Sequence, residues 1–383
     1  MGEIRVLSIL ADELISRSRA RSGRLTDKNN NISLFITVMT EAGYQSAISL
    51  SRNRWLTSFL PLDYHSPVKR FLNKVKPSAA VFIETEIWPN IAIELGKRQI
   101  PIFLANGRLS EKSARRYRWF KSGLSKIFGN YKKIMVQSDK DKERYIKIGA
   151  DESKIEVLRS LKFDAPVIQM PPEENNRLRK ALPFNSGRKI FIAGSTRNGE
   201  NEIILRIFKK LQAEIADVRL ILVPRHLDRI DELSAKMESH GLSFVRYTQL
   251  PVKSEKAIVV VDRMGILNDL YHVSNIAFVG GTLVELGGHN ILEPVWAGIP
   301  VLFGPSIFNV EDSAAYITKN GFGEMIETES ELLKKIQTFL AGQKQYRKKG
   351  ASSEEPSYSR LTAKIILDNI NTDGKNLAKN NQK

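Results

Sequence analysis

The chain has 383 residues, with 59 Lys and Arg against 42 Asp and Glu, for a formal charge of +17. It holds no cysteine and only five histidines with no HxxxH pair, which excludes disulfides and thiolate metal sites and speaks against a histidine metal centre. Hydrophobic residues make up 42% and charged residues 26%, the balance of a globular chain of about two domains, and no apolar run approaches the ~20 residues that cross a bilayer.

The chain opens on Met1-Gly2-Glu3 and runs directly into residues 4–14, whose apolar positions recur at helical spacing. Glu3 and Arg5 interrupt this first apolar segment, so it does not read as a signal peptide. A helix without a preceding strand is unusual for an α/β domain, so the first sheet is expected to lack its opening strand. Residues 16–31 are polar and basic, with Arg17, Arg19, Arg21, Arg24 and Lys28, and read as a flexible loop. Strands are expected at 32–38, 79–83, 102–105, 133–137 and 155–158, with helices at 69–75, after Asn90 and at 140–148. Pro166, Pro171 and Pro172, followed by Glu173-Glu174-Asn175-Asn176, mark a linker. A second series of strands follows at 189–193, 219–223, 257–261, 276–279 and 300–303.

Short strands alternating with helices predict parallel, doubly wound sheets. The expected fold is α/β, with two Rossmann-like doubly wound domains facing a cleft and the first strand missing. The expected divisions are 1–165, a linker at 166–176, a second domain at 177–356, a helix at 357–371, and a disordered tail at 372–383.

In open α/β sheets, ligands bind beyond the carboxyl ends of the strands, and polar residues gather at those places here. The stretch 276–305 reads as strand, glycine-rich loop, short helix and strand, with pairs Gly280-Gly281 and Gly287-Gly288. Such a loop is either a tight βαβ corner or a cradle of backbone N–H groups for an anion. Asn290 and Glu293, three apart at the helix start, favour the ligand site. Gly194-Ser195-Thr196-Arg197 forms a second candidate phosphate loop, and Pro224-Arg225-His226 and Asp262-Arg263-Met264-Gly265 end two further strands. Arg225 offers bidentate bonds to a phosphate or carboxylate, and His226 adds a donor.

The first half offers carboxylates. Glu84 and Glu86 stand two apart at a strand end and are expected to share a face. Glu3 begins the first helix, where the dipole favours its ionised form; that is either plain charge compensation or the seat of a general base. The run Arg115-Arg116-Tyr117-Arg118-Trp119-Phe120-Lys121 fits nucleic acid, a membrane interface or a solvated amphipathic helix. The positive excess itself fits an anionic partner, or a lysine-rich surface that aids solubility.

These motifs together resemble a known family over nearly the whole chain: the lipid A Kdo transferases (3-deoxy-D-manno-octulosonic acid transferases) of Gram-negative bacteria. The carriers are ETEIWPN (84–90), NGRLSEKS (106–113), SLKFD (160–164), AGSTR (193–197), PRH (224–226), DRMG (262–265) and the stretch 276–305 with GGHNILEP (287–294). The resemblance implies the GT-B fold, with the helix at 357–371 returning to the first domain, and transfer of Kdo from CMP-Kdo to a hydroxyl of the lipid A precursor, with inversion and with no cofactor or metal. It implies that Glu3 is the general base and that Arg225 and His226 hold the donor's phosphate or carboxylate. Ser195 and Thr196 would border that group, Met264 and Gly265 the cytosine, and Asn290 and Glu293 the phosphate and ribose. Gly287 and Gly288 would complete the donor wall, and Glu84 and Glu86 would shape the acceptor side. It further implies a peripheral place at the cytoplasmic face of the inner membrane, with an anionic lipid surface and no nucleic acid as partner.

The chain is expected to depart from the family in four places. The membrane anchor, strand and short polar motif that precede the GE pair in the family are expected to be missing, the basic loop from Arg17 to Lys28 reads as an insertion, Ile266 stands where the family usually has Glu, and Arg159-Ser160 replaces a glycine-asparagine pair. The alternative is a degenerate relative that binds a CMP-sugar or acidic lipid without turnover because the first strand is missing.

Overall fold

Short runs rich in Val, Ile, Leu and Phe form the strands, and helices return the chain so that each paired strand runs parallel to its neighbour. The computed structural model describes residues 2–21, 32–51, 53–167, 170–184, 187–252, 255–347 and 357–380. Its contacts divide the chain into two units, Met1–Ala165 with Glu354–Lys383, and Pro166–Ser353.

The first unit begins with α1 (Gly2–Arg21), β1 (Phe35–Val38), α2 (Glu41–Ser51), β2 (Leu56–Phe59) and α3 (His65–Val75). It continues with β3 (Ala80–Ile83), α4 (Pro89–Lys97), β4 (Ile102–Gly107), α5 (Glu111–Arg118), α6 (Lys121–Gly129), β5 (Tyr131–Val136), α7 (Asp139–Lys147) and β6 (Ile155–Val157). The start of α7 shows why helices begin where they do. Ser138 caps it, accepting from the Asp141 amide at 3.1 Å, while Asp139 and Asp141 sit in the first turn and Arg144 and Lys147 in the last. Tyr145 on the same helix is fully buried against Phe128.

Two expectations for this unit need correction. The expected loop at 16–31 is helical through Arg21, where local side-chain bonds hold polar residues within the helix. Arg17 pairs with Glu13 one turn back at 3.3 Å, and the Ser16 and Ser18 hydroxyls donate to the carbonyls of Glu13 and Ile15. Residues 22–31, with Arg24 and Lys28, lie outside the described residues. The unit also carries two parallel sheets, β1-β2 and β3-β4-β5-β6, in place of one continuous sheet. Among the described residues no strand pairs with the outer edge of β1 or of β3.

The second unit contains α8 (Pro172–Ala181), β7 (Lys189–Thr196), α9 (Glu200–Glu214), β8 (Val218–Pro224), α10 (Ile230–Ser239), β9 (Phe244–Arg246) and β10 (Ile258–Val260). Then follow α11 (Leu267–His272), β11 (Ile276–Val279), α12 (Leu292–Trp296), β12 (Val301–Phe303), α13 (Glu311–Lys319), β13 (Gly323–Met325) and α14 (Glu329–Leu340). The stretch expected as linker already contains the start of α8, since Pro172 is tolerated in a first helical turn where its missing N–H has no partner to lose.

The seven strands form one parallel sheet in the order β13-β12-β11-β7-β8-β10-β9. Residues alternate between two cores: Phe191, Leu220, Val260 and Phe278 enter one, and Ile192, Ile221, Val259 and Ala277 the other. Each fully buried Val, Leu, Ile or Phe among them contributes about 1.5–3 kcal/mol of transfer free energy. β7 sits centrally, with β8 on one side and β11 on the other. The order therefore reverses between β7 and β11, the place where such sheets open a ligand crevice.

The chain closes on α15 (Tyr358–Asn380), which packs on α1 in the first unit. Ser357 and the Ser359 amide both donate to the Asp164 carboxylate, the former at 3.0 Å, fixing the helix start. The backbone stays helical to Asn380, past the expected end at 371, since each added residue gains one hydrogen bond once a helix is nucleated.

Candidate functional site

The end of β7 turns sharply. Ser195 takes a left-handed backbone with φ +54°, a conformation that costs a non-glycine residue about 1–2 kcal/mol. Thr196 follows, buried, with its hydroxyl donating to Asn201 Oδ1 at 2.6 Å and its carbonyl accepting from the Arg225 amide at 2.9 Å. That second bond ties the end of β8 to the end of β7. The Thr196 hydroxyl is thereby used within the protein.

Glu200, in the first turn of α9, is fully buried. Its carboxylate accepts four backbone N–H groups: Arg197 at 2.9 Å and Gly281 at 2.7 Å on Oε2, Thr282 at 3.1 Å and Leu283 at 2.9 Å on Oε1. A carboxylate of the protein itself thus fills the nest that the first glycine pair makes. The other glycine amides are also bonded internally, Gly280 to Gly194 O, Gly287 to Ser306 Oγ and Gly288 to Gly281 O. The expectation that these loop amides cradle an anionic ligand is therefore corrected. The glycines serve close approach instead. A Cβ on Gly280 would lie 2.5 Å from Thr196 Cα, and one on Gly287, at φ +79°, would overlap the Phe308 ring.

Side chains, not amides, make the site. Arg197 Nε donates to His289 Nε2 at 3.1 Å, and its Nη1 meets His226 Nε2. Because His289 Nε2 accepts, its proton sits on Nδ1. Burial holds the His289 imidazole down to about 4, and the neighbouring Arg197, Arg225 and His226 add to that direction, so it is neutral at pH 7. Arg225 is exposed, and among the described residues its guanidinium makes no hydrogen bond or ion pair. Ser195, Arg197, Arg225, His226 and His289 are thus brought together at the ends of β7, β8 and β11. A recess between β7 and β8 is lined by Thr196, Asn201, His226 and Lys236.

The remaining expected residues lie on the same sheet's loops. Asn290 is exposed and donates to Glu293 Oε1 at 3.1 Å, while its own Oδ1 accepts from the Leu292 amide at 3.3 Å. Met264 is 62% exposed beyond β10, and Gly265 turns there at φ +89°. Asp262 anchors this turn by accepting from the Thr248 amide at 3.0 Å.

In the first unit, Glu3 falls in the first turn of α1, and its side chain lies outside the described residues. Glu84 and Glu86 do not continue the strand alternation, because β3 ends at Ile83 and Glu84 turns at φ +62°. Glu84 bonds Lys162 Nζ at 3.0 Å and Asn106 Nδ2 at 3.3 Å, whereas Glu86 accepts from Trp88 Nε1. Asn106, itself at φ +57° and almost fully buried, also accepts from the Leu161 amide at 3.0 Å. Two left-handed residues at adjacent strand ends, joined by a polar network, mark a strained and ordered surface.

From the sequence, Arg197 stood only as the last residue of a candidate phosphate loop, and Glu200, His289, Asn106 and Lys162 carried no expected role. Three of these four lie inside the quoted motifs, and Glu200 had no signal beyond its place three residues after Arg197.

Comparison with known proteins places these features. The family described as 3-deoxy-D-manno-octulosonic-acid transferase (kdotransferase) matches residues 1–165. The 3-deoxy-D-manno-octulosonic acid transferase of Haemophilus influenzae is 32% identical over 327 residues, covering 85% of this chain and 76% of its own length. That of Aquifex aeolicus is 33% identical, covering 77% and 75%. A bifunctional glycosyltransferase/methyltransferase of Fusobacterium nucleatum is 34% identical over 99% of this chain, which spans 58% of that relative's length. Among solved structures, the UDP-GlcNAc 2-epimerase of Neisseria meningitidis aligns over 97% of both chains with a TM-score of 0.62 at 11% identity, a likeness of fold alone. From these relatives and the α/β architecture, the chain belongs to the 3-deoxy-D-manno-octulosonic acid transferase family of glycosyltransferases.

Proposed function

We propose that this protein transfers Kdo from CMP-Kdo to a hydroxyl of the lipid A precursor, inverting the anomeric centre, in lipopolysaccharide synthesis. The observation that carries this reading is the cluster of Arg225, His226, Arg197 and His289 at the reversal point of the second sheet. CMP leaves as a phosphate monoester anion, so the reaction needs preorganised positive charge at the leaving group more than it needs an acid. Arg225 meets that need and His226 adds a donor, with Ser195 at the rim of the same turn. Met264 and Gly265 border the base, and Asn290 and Glu293 the ribose.

On the acceptor side, Glu3 takes the proton from the attacking hydroxyl as the donor carbon gains oxocarbenium character. The first turn of a 20-residue helix favours its ionised form. Glu84 and Glu86 shape the acceptor surface, with Lys162 and Asn106 holding Glu84 in place. No metal or cofactor takes part in this scheme. The positive charge suits a phosphorylated acceptor and a peripheral position on an anionic membrane face. The likeness to named transferases supports turnover over a non-catalytic, CMP-sugar-binding role.

The test is CMP release from CMP-Kdo in the presence of the lipid A precursor. Glu3→Gln is expected to slow transfer by roughly a hundredfold or more while CMP still binds. Wild-type protein that releases no CMP would sink the reading, and full turnover by the Glu3 variant would remove the base from its role.

A further inference from the structure

Five arginines of the second unit meet carboxylates. Arg188 and Arg219 share Glu255, Arg206 pairs with Glu329, Arg229 with Glu232 and Arg246 with Asp231. Arg197 does not. Two of its N–H groups meet imidazole nitrogens, and among the described residues no carboxylate pairs with its guanidinium. A guanidinium carries five N–H donors, so three remain without an acceptor among the described residues. The backbone of the same residue is bonded to the buried Glu200. Arg197 is thus fixed at both ends while its charge stays uncompensated. Beside it, Arg225 is tied to Thr196 through its amide and also lacks an ion pair.

We propose that Arg197 is an anion-binding residue of this site, aimed by His289 and His226, and that it receives an oxyanion group of the donor together with Arg225. The inference rests on the donor reading of the second unit and adds a residue to it. The neutral His289 imidazole and the His226 ring orient the guanidinium without cancelling its charge, as a carboxylate would. A planar fork held in that way binds a phosphate or carboxylate bidentately, with little left to reorganise on binding. The donor offers both chemistries, a phosphate diester and a sugar carboxylate.

The experiment follows the imidazole resonances of His226 and His289 in the full-length protein during titration with CMP, with cytidine and with free Kdo. His65 and His240, which lie on α3 and at the end of α10, serve as internal controls. Wild-type protein is expected to show shifts at His226 and His289. Arg197→Ala is expected to weaken CMP about tenfold or more while leaving cytidine unchanged if the phosphate is the group bound. Loss of the response to free Kdo with CMP unchanged would assign the carboxylate and equally support the proposal. Arg197→Lys, which keeps charge but not the fork, should fall between. Unchanged control resonances and thermal midpoint establish that the variants fold.

Arg197→Ala binding CMP and free Kdo as wild type does would overturn the inference and leave the donor reading standing. So would an equal loss for cytidine and CMP, which is the mark of a merely structural role. Wild-type protein that responds to none of the three probes would instead overturn the donor reading, and this inference with it.

Discussion

His289 is a half-buried imidazole that stays neutral because burial, and then its neighbours Arg197, Arg225 and His226, oppose its proton. In the unfolded chain the same group protonates near its ordinary 6.5. Between about pH 6.5 and 4 the unfolded state therefore binds a proton that the folded state does not, and stability falls as pH falls through that window. The contribution is fully present above 6.5. His272, lowered first by burial, acts in the same direction. His289→Gln keeps an acceptor for Arg197 but cannot titrate. Urea midpoints measured from pH 7 to 4.5 should decline less steeply in that variant than in wild type. Parallel declines would mean that His289 protonates freely in the folded protein.

At the scale of elements, Glu200 joins α9 to the loop after β11, and no ligand is needed to hold that loop closed. Replacing one carboxylate oxygen by an NH2 group turns it against amide N–H groups that it formerly satisfied. Glu200→Gln is therefore expected to lose about 2–4 kcal/mol of stability, read from denaturant unfolding, with hydrogen exchange rising at Gly281, Thr282 and Leu283. A loss below ~0.5 kcal/mol would show that other contacts set the loop. The same element shows the limit of sequence reasoning. Strands β7 and β11 were legible because a strand buried on both faces reads as an unbroken apolar run. The glycine pairs were legible as a turn, and Arg225 and His226 as a site at a strand end. What filled the loop's amides was not, since Glu200 and Gly281 are 81 residues apart and nothing in their spacing joins them. The extension of α1 failed for a different reason. Serines and arginines read as loop when the local side-chain bonds that hold them within the helix are not known. The pairing of Glu84 failed because one left-handed residue removes the period of two on which it depended.

For the whole molecule, charge and one exposed aromatic step are the features that neither core explains. The excess of +17 leaves many cations without carboxylate partners. Trp119 is 89% and Phe120 65% exposed at the junction of α5 and α6, flanked by Arg115, Arg116, Arg118 and Lys121. Indole and phenyl rings beside cations suit the interface of an anionic bilayer, where rings enter the headgroup layer and Lys and Arg meet lipid phosphates. No described helix is long and apolar enough to cross a membrane, so attachment through this surface would be peripheral and sensitive to salt. Tryptophan fluorescence tests it directly. Trp55 and Trp296 are buried, Trp88 is half-buried with its indole N–H bonded to Glu86, and Trp119 is the one open to solvent. Vesicles containing phosphatidylglycerol should shift the emission to the blue, and about 0.5 M salt should reverse most of the change, because charges separated by more than a few ångströms are then screened. Neutral phosphatidylcholine vesicles should have little effect, and Trp119→Ala with Phe120→Ser should abolish the shift. Equal binding to neutral and anionic vesicles, or binding that survives the double substitution, would rule this surface out as an anionic-membrane contact and leave the charge to act on the proposed phosphorylated acceptor alone.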